Sequence, residues 1–132
     1  MAHFAVRLAT AIQRCQNPVL VGLDPRAAQL PAGLLAESDQ DNPQAVADAY
    51  RIFCQGIIAV VAPLVAVVKP QAAFFEQLGP AGMTALYEVV QYAHRQGLLV
   101  ILDGKRNDIG STATAYADAY LGAGQASPWD WP

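Results

Sequence analysis

Charge is what this sequence has least of. Only 14% of its 132 residues are Asp, Glu, Lys or Arg, and the formal net charge is −3. Eight basic residues, with no cluster beyond the Lys105–Arg106 pair, give none of the positive surface that a nucleic-acid partner requires. Cysteine is nearly absent too. Cys15 and Cys54 stand far apart with no further ligand at metal spacing. Without a secretory signal they are expected to be reduced and to pack as small buried hydrophobes rather than to form a disulfide. The two histidines, His3 and His94, fall at the amino terminus and at a helix end, so no zinc site is expected. No serine or cysteine has a neighbouring base, and there is no internal repeat, glycine-rich phosphate loop or low-complexity tract.

Long hydrophobic runs are also limited. The longest uncharged stretch, "IFCQGIIAVVAPLVAVV" (Ile52–Val68), is shorter than the roughly 20 residues of a membrane span. It contains Gln55, Gly56 and a central Pro63. It reads as a buried helix ending before Pro63 and a buried strand beginning just after it, with no membrane partner. At the amino terminus, Arg7 and Arg14 interrupt the apolar residues, so "MAHFAVRLATAIQRCQ" is no signal-peptide core and the expected location is cytoplasmic.

Apolar residues make up 54% of the chain, enough for one domain with a well-buried core. Helical spacing over residues 3–15 places Phe4, Leu8 and Ile12 on one stripe. A short apolar strand follows, Pro18–Pro25, and then a polar loop over 26–43 with about one helical turn. A helix runs from Gln44 to about Ala62, with Val46, Ala49, Tyr50, Phe53 and Ile57 on its buried side. The second strand is Leu64–Pro70. Gln71–Gly79 is a short helix closed by glycine. Pro80–Gly97 is an amphipathic helix with Pro80 in its first turn, His94 and Arg95 in its last, and Gly97 as its cap. The third strand is Leu98–Asp103, and Ser111–Gly122 is a further helix. The tail, "GAGQASPWDWP", has two tryptophans and no element to pack them. Apolar strands separated by amphipathic helices point to a parallel α/β sheet covered by helices. Periodicity alone does not separate part of a barrel from part of a doubly wound sheet.

The scarce charges fall at particular places. Each expected strand ends in one: Asp24, Lys69 and Asp103. In parallel α/β folds the carboxyl ends of the strands form the functional face. Asp103 and Lys105 are two apart, so an extended backbone points them to the same side. Asp108 follows just before the next helix. Two readings fit this pattern. Asp103 and Lys105 form an exposed ion pair while Asp108 or Ser111 caps a helix, or the cluster is a polar active site. Asp24 before Pro25 is also a common turn signal. Lys69, at the end of a buried strand, needs a carboxylate partner.

The stretch "DGKRNDIGST" (Asp103–Thr112) resembles the D-x-K-x-x-D-I-x-x-T signature of the orotidine 5′-phosphate decarboxylase family, in its KRxDIGST form. "VGLDP" and "VVKPQAAFFE" (Val67–Glu76) resemble that family's first two strand ends, in the right order. The resemblance implies a (β/α)8 barrel of TIM type, of which 1–132 would be the amino-terminal part, the first three to four β/α units of a single domain, with the carboxyl-terminal half absent. It implies a homodimer that converts orotidine 5′-phosphate to UMP with no cofactor and no metal. Lys105 would be the proton donor to carbon 6 of the pyrimidine. Asp103 would sit beside the substrate carboxylate, and Lys69 would hold the Lys–Asp array. Asp24 would bind a ribose hydroxyl, while Asp108 and Thr112 would reach into the partner's site. The family's phosphate-gripping Arg and pyrimidine contacts would lie beyond Pro132.

Two alternatives stand beside this one. A magnesium-dependent hexulose-phosphate-type aldolase of the same superfamily would need a further metal-binding acid, for which Glu76 is the candidate. A non-catalytic half-barrel would expose apolar strand edges and associate through them.

Overall fold

The computed structural model describes residues 3–121. The tail with Trp129 and Trp131, and the glycine expected to close the last helix, lie outside them. The described elements run α1 (Phe4–Cys15), β1 (Leu20–Leu23), α2 (Pro43–Val61), β2 (Val67–Pro70), α3 (Ala72–Glu76), α4 (Gly79–Arg95), β3 (Leu99–Val100) and α5 (Gly110–Leu121). Two 3₁₀ turns, Ala27–Gln29 and Glu37–Asp39, punctuate the polar loop. The sheet is parallel with order β1-β2-β3, pairing Gly22 with Lys69 and Val67 with Leu99.

The strand pleat divides the apolar residues between two faces. On the outer face Leu23, Val68, Val100 and Leu102 join the main core with α2, α3 and α4, where Tyr50, Ile58, Phe75, Leu86 and Val89 are buried. Tyr50 and Phe75 meet edge to face, with centroids 6.1 Å apart. The Tyr50 hydroxyl also accepts a hydrogen bond from the Ala27 N–H, which ties the polar loop to the core. On the inner face Ala66, Val67, Leu99 and Ile101 pack against Ala11, Leu8 and Ile12 of α1. The guanidinium of Arg14 donates to the Gly97 carbonyl and fixes α1 to the turn before β3.

The uncharged run is divided as expected: α2 ends before Pro63 and β2 begins after it. By length and composition α2 is apolar enough to cross a membrane. In this fold its Val46, Ala47, Tyr50, Cys54 and Ile58 are buried in the core. Its buried stripe differs from expectation. Phe53 and Ile57 are only half-buried, because the helix turns Cys54 and Ile58 inward to meet α4 and the sheet. Arg51 bridges Asp48 on its own helix and Glu88 on α4. Asn42 caps α2, accepting hydrogen bonds from the N–H groups of Gln44 and Ala45.

Two further expectations need correction. Cys54 is fully buried, but Cys15 is only half-buried, at the exposed end of α1. The first strand is not apolar-buried on both faces: Leu20 is exposed on the inner face, since α1 reaches only the β2 and β3 side of it, and Val19, just before the strand, is exposed as well. The formal third strand is also shorter than Leu98–Asp103. Its hydrogen bonding nonetheless continues, from Ile101 N–H to the Val68 carbonyl and from Asp103 N–H to the Pro70 carbonyl.

Gly82, early in α4, is where this helix presses on the end of α3. A Cβ there would stand 1.8 Å from the Phe75 carbonyl oxygen and 2.9 Å from the Leu78 Cβ. Backbone cannot yield as a side chain does. Helix propensity alone predicts that Gly82→Ala stabilises by about 1 kcal/mol; the overlap predicts a loss of about 1–3 kcal/mol instead. Urea midpoints of the two proteins decide the sign, and a raised midpoint would contradict this packing.

Candidate functional site

Lys69 lies near the carboxyl end of β2, on the inner face by pleat parity with Val67. Asp103 shares that face because it lies an even number of residues beyond Leu99 and Ile101 and still pairs with Gln71 across the sheet, while Lys105 lies just past the end of that pairing. The three side chains converge. Lys69 Nζ donates to Asp103 Oδ2 at 2.9 Å, and Lys105 Nζ lies 3.6 Å from Asp103 Oδ1. Lys69 and Lys105 are the only two lysines in the sequence, and both approach one carboxylate. Asp103 is about one-third exposed, whereas the Lys105 side chain is 86% exposed.

The hydrogen bond from Lys69 is the main reason that the Asp103 carboxyl is held below the usual carboxylate range; partial burial opposes this, and the charges of both lysines reinforce it. An isolated, exposed Asp103–Lys105 pair would contribute little to stability. Two ammonium groups converge on this one carboxylate, more than a single stabilising ion pair needs.

Asp24 follows β1 directly and is exposed. Its Oδ1 lies 3.5 Å from where a Cβ on Gly22 would stand, so it covers the residue that pairs with Lys69. Burial first, and the Asp24 charge second, push the Cys54 thiol up to about 12, which makes it inert. Asp108 and Thr112 do not join the array. Asp108 accepts the Ile109 N–H at 2.8 Å in the approach to α5, and Thr112 is exposed in the first turn of that helix.

Arg106, to which sequence reasoning gave no role, lies inside the quoted signature. Arg106 forms an ion pair with Glu76, the last residue of α3, and stacks 5.6 Å from the Tyr120 ring centroid. Burial by itself would lower the Arg106 pKa, yet the hydrogen bond with Tyr120 and the Glu76 charge hold it above its ordinary value. Glu76 is thereby committed to a guanidinium, which counts against its expected role as a metal ligand in an aldolase. Among the described residues no three His, Cys, Asp or Glu side chains are grouped to hold a metal. A cavity of about 910 Å³ opens beside the array, between α1, the strand after Leu99 and α5. Arg7, Arg106, Asp108, Tyr116 and Tyr120 line it, but Lys69, Asp103 and Lys105 do not. The array itself sits on an open face.

A parallel sheet with its charges at the strand carboxyl ends defines an α/β unit with a polar site at its functional edge, the arrangement of β/α barrels and of doubly wound sheets alike. The family model described as orotidine 5′-phosphate decarboxylase / HUMPS family matches residues 17–127, and the chain belongs to that family. An orotidine 5′-phosphate decarboxylase of Rhodopirellula baltica is 58% identical over 98% of this chain and 43% of its own length. One from a Nocardioides species is 43% identical over 92% of this chain and 41% of its own length. The solved Leishmania donovani OMP decarboxylase superposes with a TM-score of 0.67 at 35% identity, covering 89% of this chain and 39% of that one. The chain thus spans about two fifths of the length of the curated relatives it matches, and its sheet is a partial TIM barrel.

The depressed Asp103 carboxyl gives a pH test. Between the folded and unfolded values the unfolded state binds more protons, so stability rises with pH there. The contribution is fully present above the unfolded carboxylate value of about 3.9 and is lost as pH falls through the lower folded value. Wild type should therefore be more stable than Asp103→Asn near pH 5, and the gap should close in acid. Denaturant midpoints between pH 5 and pH 2 measure it; a gap that widens on acidification would contradict the assignment.

Proposed function

We propose that this chain supplies the reacting end of an enzyme that decarboxylates orotidine 5′-phosphate to UMP, with no cofactor or metal. The observation that carries the reading is the convergence of Lys69 and Lys105 on Asp103 at the strand ends. It is supported by membership of the family and by relatives that bear the name of that enzyme.

Chemically, the bond from carbon 6 of the pyrimidine to its carboxylate breaks, and carbon dioxide leaves. The electron pair stays on carbon 6 and takes a proton from Lys105 Nζ. A fixed ammonium next to that carbon stabilises the developing charge before it donates. Asp103 beside the substrate carboxylate disfavours the bound ground state more than the transition state, where that charge has left. Lys69, hydrogen-bonded to Asp103, holds the carboxylate in place. Asp24, at the edge of the array, serves a ribose hydroxyl.

The site is shared between two copies of the full-length chain in this proposal. Asp108 and Thr112 stand apart from the array in their own chain, which fits a role in a partner's pocket. The remainder of the barrel covers the open face, grips the phosphate and lowers the local dielectric. The 132-residue chain alone should accordingly show little turnover, because remote binding energy acts at the reacting carbon.

The test uses the full-length protein, with UMP formation followed in the presence and absence of EDTA. Wild type should turn over equally in both, and loss in EDTA restored by magnesium would favour the aldolase branch. Lys105→Ala should lower kcat about a hundredfold or more while a non-reacting nucleotide still binds. Mixing inactive Lys105→Ala and Asp108→Ala proteins should restore activity, since one mixed pocket carries neither change. Heterodimers that form but stay inactive would place both residues in one chain's pocket.

A further inference from the structure

We infer that Arg106 is a positioning residue for the lysine array: held between Glu76 and Tyr120, it fixes the turn that carries Lys105 relative to the strand that carries Lys69. The inference rests on the decarboxylase reading of that array.

Lys105 has little to hold it. Its side chain is 86% exposed, and its ammonium lies 3.6 Å from Asp103, too far for a strong hydrogen bond. Sheet pairing ends at Asp103. Beyond it the Gly104 N–H turns back to the Leu102 carbonyl, and the chain leaves the sheet. A preorganised ammonium needs a rigid backbone beneath it, because a misplacement of about 1 Å costs on the order of a hundredfold in rate.

Arg106 supplies that rigidity from the adjacent position. One guanidinium nitrogen, Nη1, donates to the Lys105 carbonyl itself at 3.1 Å. The other, Nη2, pairs with the Glu76 carboxylate, and the planar group lies over the Tyr120 ring. Arg106 and Glu76 are each only about 30% exposed, so this is no floating surface pair. Glu76 ends the short helix that follows β2 directly, and that helix touches the turn again where the Ala72 N–H donates to the Asp103 carbonyl. The guanidinium thus joins the Lys69 strand, through α3, to the Lys105 turn. Through Tyr120 it also joins the turn to α5, the helix that leads off from Asp108 and bears Thr112. Lysine in its place would keep the charge but could not span the three partners or stack.

The experiment compares full-length wild type with Arg106→Met, Arg106→Lys, Glu76→Gln and the Arg106→Met/Glu76→Gln double variant. Kinetics are normalised to folded protein. Each single change should lower kcat about tenfold or more with KM moved far less. Arg106→Lys should recover only part, and the double variant should be no worse than the worse single one. A second readout needs no substrate: the rate at which acetic anhydride modifies Lys105, relative to Lys69, should change several-fold in Arg106→Met. A staple that serves stability alone would lower the urea midpoint and leave kcat per folded molecule and Lys105 reactivity unmoved, which would overturn the inference, as would strictly additive losses. Wild type inert towards orotidine 5′-phosphate, with Lys105 reactivity still shifted in the variants, would sink the decarboxylase reading and keep the positioning role.

Discussion

Two backbone hydrogen bonds past the formal end of the third strand set up the site. The N–H groups of Ile101 and Asp103 donate to the carbonyls of Val68 and Pro70, so the strand stays extended and in parallel register for three residues longer than its two-residue core. Because the side-chain period of a strand is two, this register leaves Lys69 and Asp103 on one face, and Lys105 approaches the same carboxylate from the turn beyond. A slip of the third strand by one residue would send Asp103 into the helix-covered core, where an unpaired charge is strongly unfavourable, and leave Lys69 without its carboxylate. The apolar residues of opposite parity on that strand, Val100 and Leu102, make such a slip still worse, since they would lose their place in the main core. Core packing and charge placement are therefore set by the same alternation.

The two faces of the sheet differ in how completely they are finished. The outer face has its full layer of helices, down to the close approach of α4 on α3 at Gly82. Among the described residues the inner-face cluster is closed by α1, which packs on Val67, Leu99 and Ile101 and leaves Leu20 of β1 exposed. In relatives more than twice as long, there is ample further chain to close such a face. The electrostatics depend on that closure. The same Lys–Asp–Lys geometry is screened by water on an open face and acts far more strongly in a dry pocket.

Arg106 shows how a structural contact can be written inside a chemical signature. Its partners, Glu76 and Tyr120, lie about 30 residues before it and 14 after it in the chain, far outside the range at which helical neighbours meet. The pair converts two loosely related segments, the end of α3 and the turn after β3, into one support beneath the array. The same contact occupies the acid that an aldolase reading would reserve for a metal.

Much of this was legible in the sequence. Apolar runs bounded by Pro, Gly and Asp located the strands, 3.6-residue spacing located the helices, and Pro63 separated α2 from β2. The grouping of Asp103 with Lys105 followed from the period of two, and the need of Lys69 for a carboxylate followed from its place in a buried strand. Local rules of this kind depend only on neighbours along the chain, so sequence by itself determined the element order, the parallel α/β class and the charged end of the sheet. Tertiary structure decided the rest. Which carboxylate Lys69 takes, the rotation of α2 that buries Cys54 and Ile58 in place of Phe53 and Ile57, the exposure of Val19 and Leu20, and the union of Arg106 with Glu76 and Tyr120 all depend on how distant segments pack. No local periodicity encodes those distances; they are fixed only when the sheet register and the helix layer come together around one core.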